Sequence, residues 1–283
     1  MRPILKSPRI LRTGAPLSLE GIRQVCPSVF ATQAHESRGP RYRYVPTSEP
    51  VQHLMDNGWG IYEASQSRSK SADRDGANKH MLRMRKLSDF HVSPATHGDG
   101  VPEVILINSH DGTSAYHLKA GFFRFVCSNG LMVGTQVAGF TVRHTVGPQT
   151  SQEVLEAGER VVTESFPIML GNIDRFKTIN MNQEYQYRLA EKALELRYGG
   201  ALAPITAQEL LQVRRDEDKE PSVWNVLNRV QENTLYGGWE TRSAMFGRRS
   251  QVRPVERVSA VTAINVGIWD EASAIAQEIC NAE

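Results

Sequence analysis

The sequence predicts an α+β fold, with a mainly antiparallel sheet and its covering helices in the N-terminal half and a helical C-terminal half. Three observations carry this prediction. Between residues 41 and 147 the apolar residues come in short runs of strand length and period. From Ser151 the period becomes helical and stays so. Between these lies Val101 to Gly134, the densest apolar stretch of the chain, interrupted by two compact polar signatures, Asn-Ser-His-Asp-Gly (108–112) and Cys-Ser-Asn-Gly (127–130).

Residues 1–40 carry Pro3, Pro8, Pro16, Pro27 and Pro40 among basic and polar residues, so an extended, partly solvated arm with one short helix near Ser18 to Val25 is expected. The remainder, 41–283, reads as a single α+β domain, sheet-rich over 41–147 and helical over 151–281. Arg41-Tyr42-Arg43-Tyr44 alternates at the strand period, sending arginines to one side and tyrosines to the other. Such a ribbon suits a polyanion held by charge with bases stacked on tyrosine, and equally an edge strand with solvated arginines. Thr47-Ser48-Glu49-Pro50 starts a helix, and Asn57-Gly58 ends it.

Trp59 to Gln66 is a strand, followed by a polar loop over 65–78. Lys79 to Lys86 puts Leu82 and Met84 on one face and Lys79, Arg83 and Arg85 on the other; these cations repel unless an anion or an acidic neighbour meets them. His91 to Gly100 reads as a connecting loop. Val104 to Ile107 is a strand buried on both faces, joined through the turn formers Asn108 to Gly112 to a second strand with Tyr116, Leu118 and Ala120 inward. For residues 122–130 a short helix closed by Asn129-Gly130 is favoured over a second hairpin. Phe140 to Thr145 alternates as a strand carrying Arg143.

Beyond Ser151, helices are expected to begin at Ser151, to span Asn182 to Tyr198 with a Gly199-Gly200 stop, to follow Thr206, to run through Trp224 to Asn233, and to close the chain with Ile264, Ile268, Ala272, Ile275 and Ile279 as a core stripe. The charged run 214–220 reads as a solvated surface, and Arg242, Arg248, Arg249, Arg253 and Arg257 crowd a loop before the last helix.

Composition narrows the function classes. Hydrophobic content of 40% and charge of 23% are ordinary for a soluble globular protein, and no run nears the ~20 apolar residues that cross a bilayer, so a cytoplasmic protein without a membrane partner is expected. Cys26, Cys127 and Cys280 lack both disulfide arithmetic and zinc spacing and read as plain thiols. A net charge of +2 does not by itself indicate nucleic acid. There is no phosphate-binding loop and no dinucleotide fingerprint, and no cofactor or metal is expected.

Ser109-His110-Asp111 repeats the residue types of a hydrolase triad, but neighbours on a tight turn cannot relay a proton in line; turn bonding by Asn108 and Asp111 with a positive φ at Gly112 is the structural reading. His35, Glu36, His110, Asp111 and His144 are the candidates for a proton-transfer or metal site, since imidazole and carboxylate suit several divalent metals. Cys127 reads as an inert buried thiol rather than a nucleophile.

The blocks HESRGPRYRYVPT, KHMLRMRK, PEVILINSHDGTSAYHL, FFRFVCSNGLMVG and WNVLNRVQENTLYGGWETRSA resemble the bacterial family known as domain of unknown function 932, in particular its YafZ/YfjQ/YubP-type proteins of prophages and conjugative plasmids. The resemblance runs from about Pro27 to the last helix. It implies a mobile-element origin and a cytoplasmic accessory role, and supplies no catalytic residues.

Three functions are therefore expected, in order. The first is binding of single-stranded or recombining DNA through Arg41, Arg43, Lys79, Arg83, Arg85 and Arg143, in annealing, repair or protection; annealing proteins of βββα order share this element sequence, an analogy of fold alone. The second is an interaction protein that blocks a host defence factor through the helical half. The third is a metal-dependent enzyme acting on a nucleotide or phosphoester through His35, Glu36, His110, Asp111 and His144. Oligomerisation is compatible with all three.

Overall fold

The computed structural model describes residues 9–12, 14–68, 74, 76–88, 99–125, 129–132, 139–144, 151–199, 202–242 and 249–282. An antiparallel sheet forms from β1 (Arg9–Arg12), β2 (Trp59–Gln66), β3 (His80–Lys86), β4 (Gly100–Asn108), β5 (Tyr116–Arg124) and β6 (Asn129–Met132) in that order, with β7 (Phe140–Val142) also paired to β5. The chain divides into two compact units, one of Met1–Gly130, Ala138–Pro167 and Glu256–Val258, the other of Leu131–Val137, Ile168–Val255 and Ser259–Glu283.

In the first unit the sheet is almost wholly buried over β2, β3 and β4: β4 supplies a β-branched and aliphatic run, and β3 presents Leu82 and Met84 on one face and Arg83 and Arg85 on the other. Leu82 pairs across with Leu106, and Leu106 with Leu118, which fixes one apolar face. Tyr62 is an extra residue between the Ile61–Met84 and Glu63–Arg83 pairs, a bulge that shifts the register of β2. Helix α1 (Leu19–Val25) is capped by Ser18, whose side chain accepts from the Gly21 amide, and Ile22, Cys26 and Val29 after it are fully or almost fully buried. The segment expected to be an arm is thus, over 9–12 and 18–30, part of the fold: β1 pairs with β2, and the Cys26 thiol reaches the Ser65 carbonyl oxygen at 3.6 Å.

Helix α2 (Ser48–Asp56) starts at Thr47 and ends at Asn57-Gly58, with Gly58 at φ +79°. Arg41 to Tyr44 form no regular strand: Arg41 lies in a turn and Tyr42 makes a single bridge, although the sidedness follows the pattern, Tyr42 and Tyr44 half-buried and Arg41 and Arg43 exposed. The loop between β4 and β5 is longer than expected, from Ser109 to Ala115. The expected helix from residue 122 is overturned, because Phe122 to Arg124 continue β5. Aromatic and β-bonded neighbours outweigh the four-residue spacing there: Phe122 pairs with Pro102 and Phe123 with Val101. Cys127 lies outside the described residues, as do 91–98, most of the loop at 69–75 and Arg248. Helix α3 (Ser151–Arg160) runs into a π-helical turn, Val161–Ser165, and then α4 (Phe166–Thr178).

The second unit is built on α5 (Gln183–Tyr198), α6 (Ala207–Leu210), α7 (Val223–Tyr236) and α8 (Val258–Ala282), with a two-stranded ribbon of β8 (Glu240–Arg242) and β9 (Arg249–Gln251). Asn182 caps α5 and left-handed Gly199 ends it; Thr206 and Glu209 form a capping box on α6. Ile264, Ile268, Ala272 and Ile275 line the buried face of α8. Helix α7 is polar and yet buried: Asn228, Arg229, Gln231, Glu232, Asn233 and Thr234 all lie inside. Their bonds go to backbone and to side chains of other elements, Asn233 donating to the Leu210 and Gln212 oxygens and Gln231 to Asn265. The charged run 214–220 is consequently not all solvated, as expected from its charge. Arg215 pairs with Glu232, and Arg229 donates to the Asp218 carbonyl at 2.7 Å, completing the end of the turn Asp216–Asp218. No helix among the described residues is long and apolar enough to cross a membrane.

Candidate functional site

Register places His80 of β3 opposite Asn108 of β4, at the end of the sheet and on the same face as Leu82 and Leu106. Two polar side chains on an apolar face need partners, and Thr47 supplies them. Its hydroxyl makes no capping bond to α2; it lies 2.9 Å from His80 Nε2 and accepts from Asn108 Nδ2 at 3.0 Å.

The tautomers follow from the acceptors. His80 Nδ1 faces the Asn78 carbonyl at 2.9 Å and so carries the proton, leaving Nε2 to accept from Thr47. Asn108 Oδ1 accepts from the Ser109 amide at 2.7 Å and from His144 Nε2 at 2.8 Å, and His144 Nδ1 faces the Arg43 carbonyl at 2.9 Å. A chain of close polar contacts therefore runs from Asn78 through His80, Thr47, Asn108 and His144 to Arg43, and the neutral His144 ring donates at one of its two ends. His110 joins at its side, its Nε2 3.4 Å from Thr47 Oγ1 and its ring 5.4 Å from that of His80. Its Nδ1 lies by the Ser28 backbone without a well-formed hydrogen bond. Tyr42 stacks on His144 at 4.8 Å and donates to the Ser109 carbonyl, while Tyr44 tilts against His110 and donates to the Ala31 carbonyl.

Burial dominates the protonation of this cluster. It pulls His80 down to about 4 against the help of the Asn78 carbonyl, and pulls His110 down to about 3, with His80 and His144 adding to the effect. His144 is also lowered by burial, opposed by the Arg43 carbonyl. Both of its nitrogens face oxygens that only the imidazolium could satisfy together, so its shift is the most contested of the three. Burial raises the phenols of Tyr42 and Tyr44, the latter to about 12.

His144 is also the way out. With Ser37, Arg38, Gly39, Pro40, Arg41 and Tyr42 it lines an open depression of about 470 Å3. Arg43 donates its amide to the His144 carbonyl, and Arg41, Arg43 and Arg143 are all exposed.

Of the residues singled out by sequence, Arg41 and His144 line the depression, and Arg43 and Arg143 are exposed. Lys79 is half-buried before β3. Arg83 and Arg85 are elsewhere: only 2% and 8% exposed, on the opposite face of the sheet from Leu82 and Met84, and bonded to the two oxygens of fully buried Glu103 at 2.7 Å each. Arg85 also lies over the rings of Phe123 and Tyr62, at 3.4 and 4.6 Å. The acidic neighbour that strand pairing left open is Glu103, diagonal to Arg83 on β4.

His110 and His144 come into one cluster, His35 donates its amide to the His110 carbonyl, and Glu36 is exposed. Asp111 is spent on its own turn, accepting from the Thr113 amide and hydroxyl, and Gly112 has φ +77°. Among the described residues no group of three or more His, Cys, Asp or Glu side chains is disposed to hold a metal ion. The sequence reading missed Thr47, His80 and Asn108. Parity was the available signal, since His80 and Asn108 share the apolar face of Leu82 and Leu106.

Fold and site together define an α+β protein whose sheet is fastened by a buried Arg–Glu–Arg bridge and whose edge carries a histidine-backed arginine depression. The chain belongs to the family described as domain of unknown function (DUF932), whose model matches residues 34–264. It is 35% identical over 270 residues to the UPF0380 protein YafZ of Escherichia coli K12, covering 95% of each chain, and 35% identical over 260 residues to YfjQ of the same organism, covering 92% of each. No solved structure matches it.

Proposed function

We propose that this protein binds a polyanion, single-stranded DNA foremost, in the depression floored by Tyr42 and His144, as a cytoplasmic accessory of DNA recombination, annealing or protection. The observation that carries the reading is the open depression lined by Arg38 and Arg41 together with Tyr42 and His144; exposed Arg43 is tied to it by its backbone bond to the His144 carbonyl, and exposed Arg143 precedes His144 in the chain. Guanidinium groups meet phosphates in bidentate fashion, and an aromatic face stacks bases of any sequence. The buried chain behind the floor holds His144 from two sides, which keeps the Tyr42 stack in place. Arg83 and Arg85 take no part in this reading.

Fluorescence anisotropy with a labelled oligothymidine tests it. Engagement of four phosphates gives a log–log salt slope of about −3 between roughly 50 and 200 mM salt, at about −0.7 per phosphate for single strands. Absence of binding at the low-salt end, or affinity indifferent to salt, contradicts the proposal.

A further inference from the structure

A second concavity involves none of these residues. It is a cleft of about 240 Å3 between α2 and α3, walled by Leu54, Trp59, Val154 and Val162, with Lys86 at its rim and Gly158 on its helical side. Two local sacrifices of helix stability fall on this one wall. Gly158 sits within α3, where glycine is less favourable than alanine. Its φ is not positive and a Cβ there would meet nothing within 4 Å, so neither backbone geometry nor close packing requires glycine. Three residues later the helix widens into the π turn Val161–Ser165, and such turns mark functional sites more often than ordinary helix does. Each feature leaves room in the cleft that a regular, alanine-bearing helix would reduce.

The lining indicates what would fill the room. Trp59 is 4% exposed and tilted against Phe166, so a flat ring entering the cleft meets an aromatic floor. The Lys86 ammonium stands 5.2 Å from the Trp59 ring centroid and gives one of its three donors to the Asn57 carbonyl. The rim's carboxylate, Glu159, is turned to His53 at 3.7 Å. An apolar cavity of about 150 Å3 already holds benzene, so this one suits one or two fused rings.

We propose that the cleft between α2 and α3 is a binding site for a small planar aromatic carboxylate, its ring against Trp59 and its anionic group at Lys86. Isothermal titration of the full chain with 2-naphthoate tests this. Saturable one-to-one binding is expected, with Gly158→Leu abolishing it by filling the cleft from the helix surface and Gly158→Ala, the folding control, retaining it. Lys86→Met should weaken binding about tenfold, the scale of a lost charge-assisted bond. The cationic counterpart, 2-naphthylmethylamine, should bind more weakly than 2-naphthoate. No saturable heat with the unsubstituted protein, equal binding by folded Gly158→Leu, or equal or tighter binding of the amine would each overturn the assignment.

Discussion

Two arginine pairs in this protein have the same spacing and opposite fates. Arg41 and Arg43, like Arg83 and Arg85, alternate with apolar or aromatic residues and leave one side of an extended segment. The first pair is exposed, with Arg41 in the lining of the depression; the second is buried on Glu103. Period two decides which side chains share a face, and nothing more. What lies across the sheet decides the rest: β4 carries a single carboxylate diagonal to Arg83, and Phe123 and Tyr62 close over Arg85. A run of cations on a strand is thus evidence of an anion partner, which here is supplied from within.

The comparison breaks most visibly at Glu103. Glu103→Ala removes the carboxylate that the two buried guanidinium groups share and is expected to destabilise the first unit by about 3–5 kcal/mol in urea unfolding. Replacing all three together, Glu103→Leu with Arg83→Met and Arg85→Met, should recover much of that loss, because burying a bridge is itself costly. Full destabilisation in the triple variant would mean that the bridge does more than neutralise.

Acid sharpens the comparison from the other end of the sheet. His80 and His110 are neutral in the fold, with values near 4 and 3 against about 6.5 unfolded. Above pH 6.5 neither state binds a proton, so both groups are without effect. Below it the unfolded chain takes up protons that the fold refuses, and stability falls by about 1.4 kcal/mol per pH unit for each group until its folded value is reached. Between pH 6.5 and 5 the two together account for a loss of about 4 kcal/mol. Unfolding at pH 7, 6 and 5 measures it, and His110→Gln should roughly halve the slope. Unchanged slope in that variant would show that His110 is not the buried neutral group described.

The smallest effect on stability is expected at the exposed arginines. Arg41→Gln, Arg43→Gln and Arg143→Gln should each move stability by no more than about 0.5 kcal/mol, as surface substitutions do.

How much of this was legible in the sequence depends on whether a residue's role is local. Strand and helix limits around Leu82, Leu106, Asn182, Gly199 and Thr206 follow from period and capping chemistry, which neighbours in sequence determine. The polar core did not, because Thr47, His80, Asn108 and His144 meet through tertiary contacts 33 to 61 residues apart in sequence. Thr47 is instructive: its position before Pro50 announces a cap, and the helix does begin there, but the hydroxyl has gone to His80 and Asn108. Residues 122–124 failed for the opposite reason, since a helical spacing of aromatics was overridden by pairing with β4. The buried polar face of α7 likewise depends on distant carbonyls at Leu210, Gln212 and Asp218.

The most direct measurement is the affinity of the Arg41→Gln, Arg43→Gln, Arg143→Gln protein for single-stranded oligothymidine at low salt, beside its melting temperature. Loss of binding by about a hundredfold or more, with melting unchanged, is the predicted result. Undiminished binding by a protein that melts normally would contradict the division between exposed and internally neutralised arginines as the basis of function.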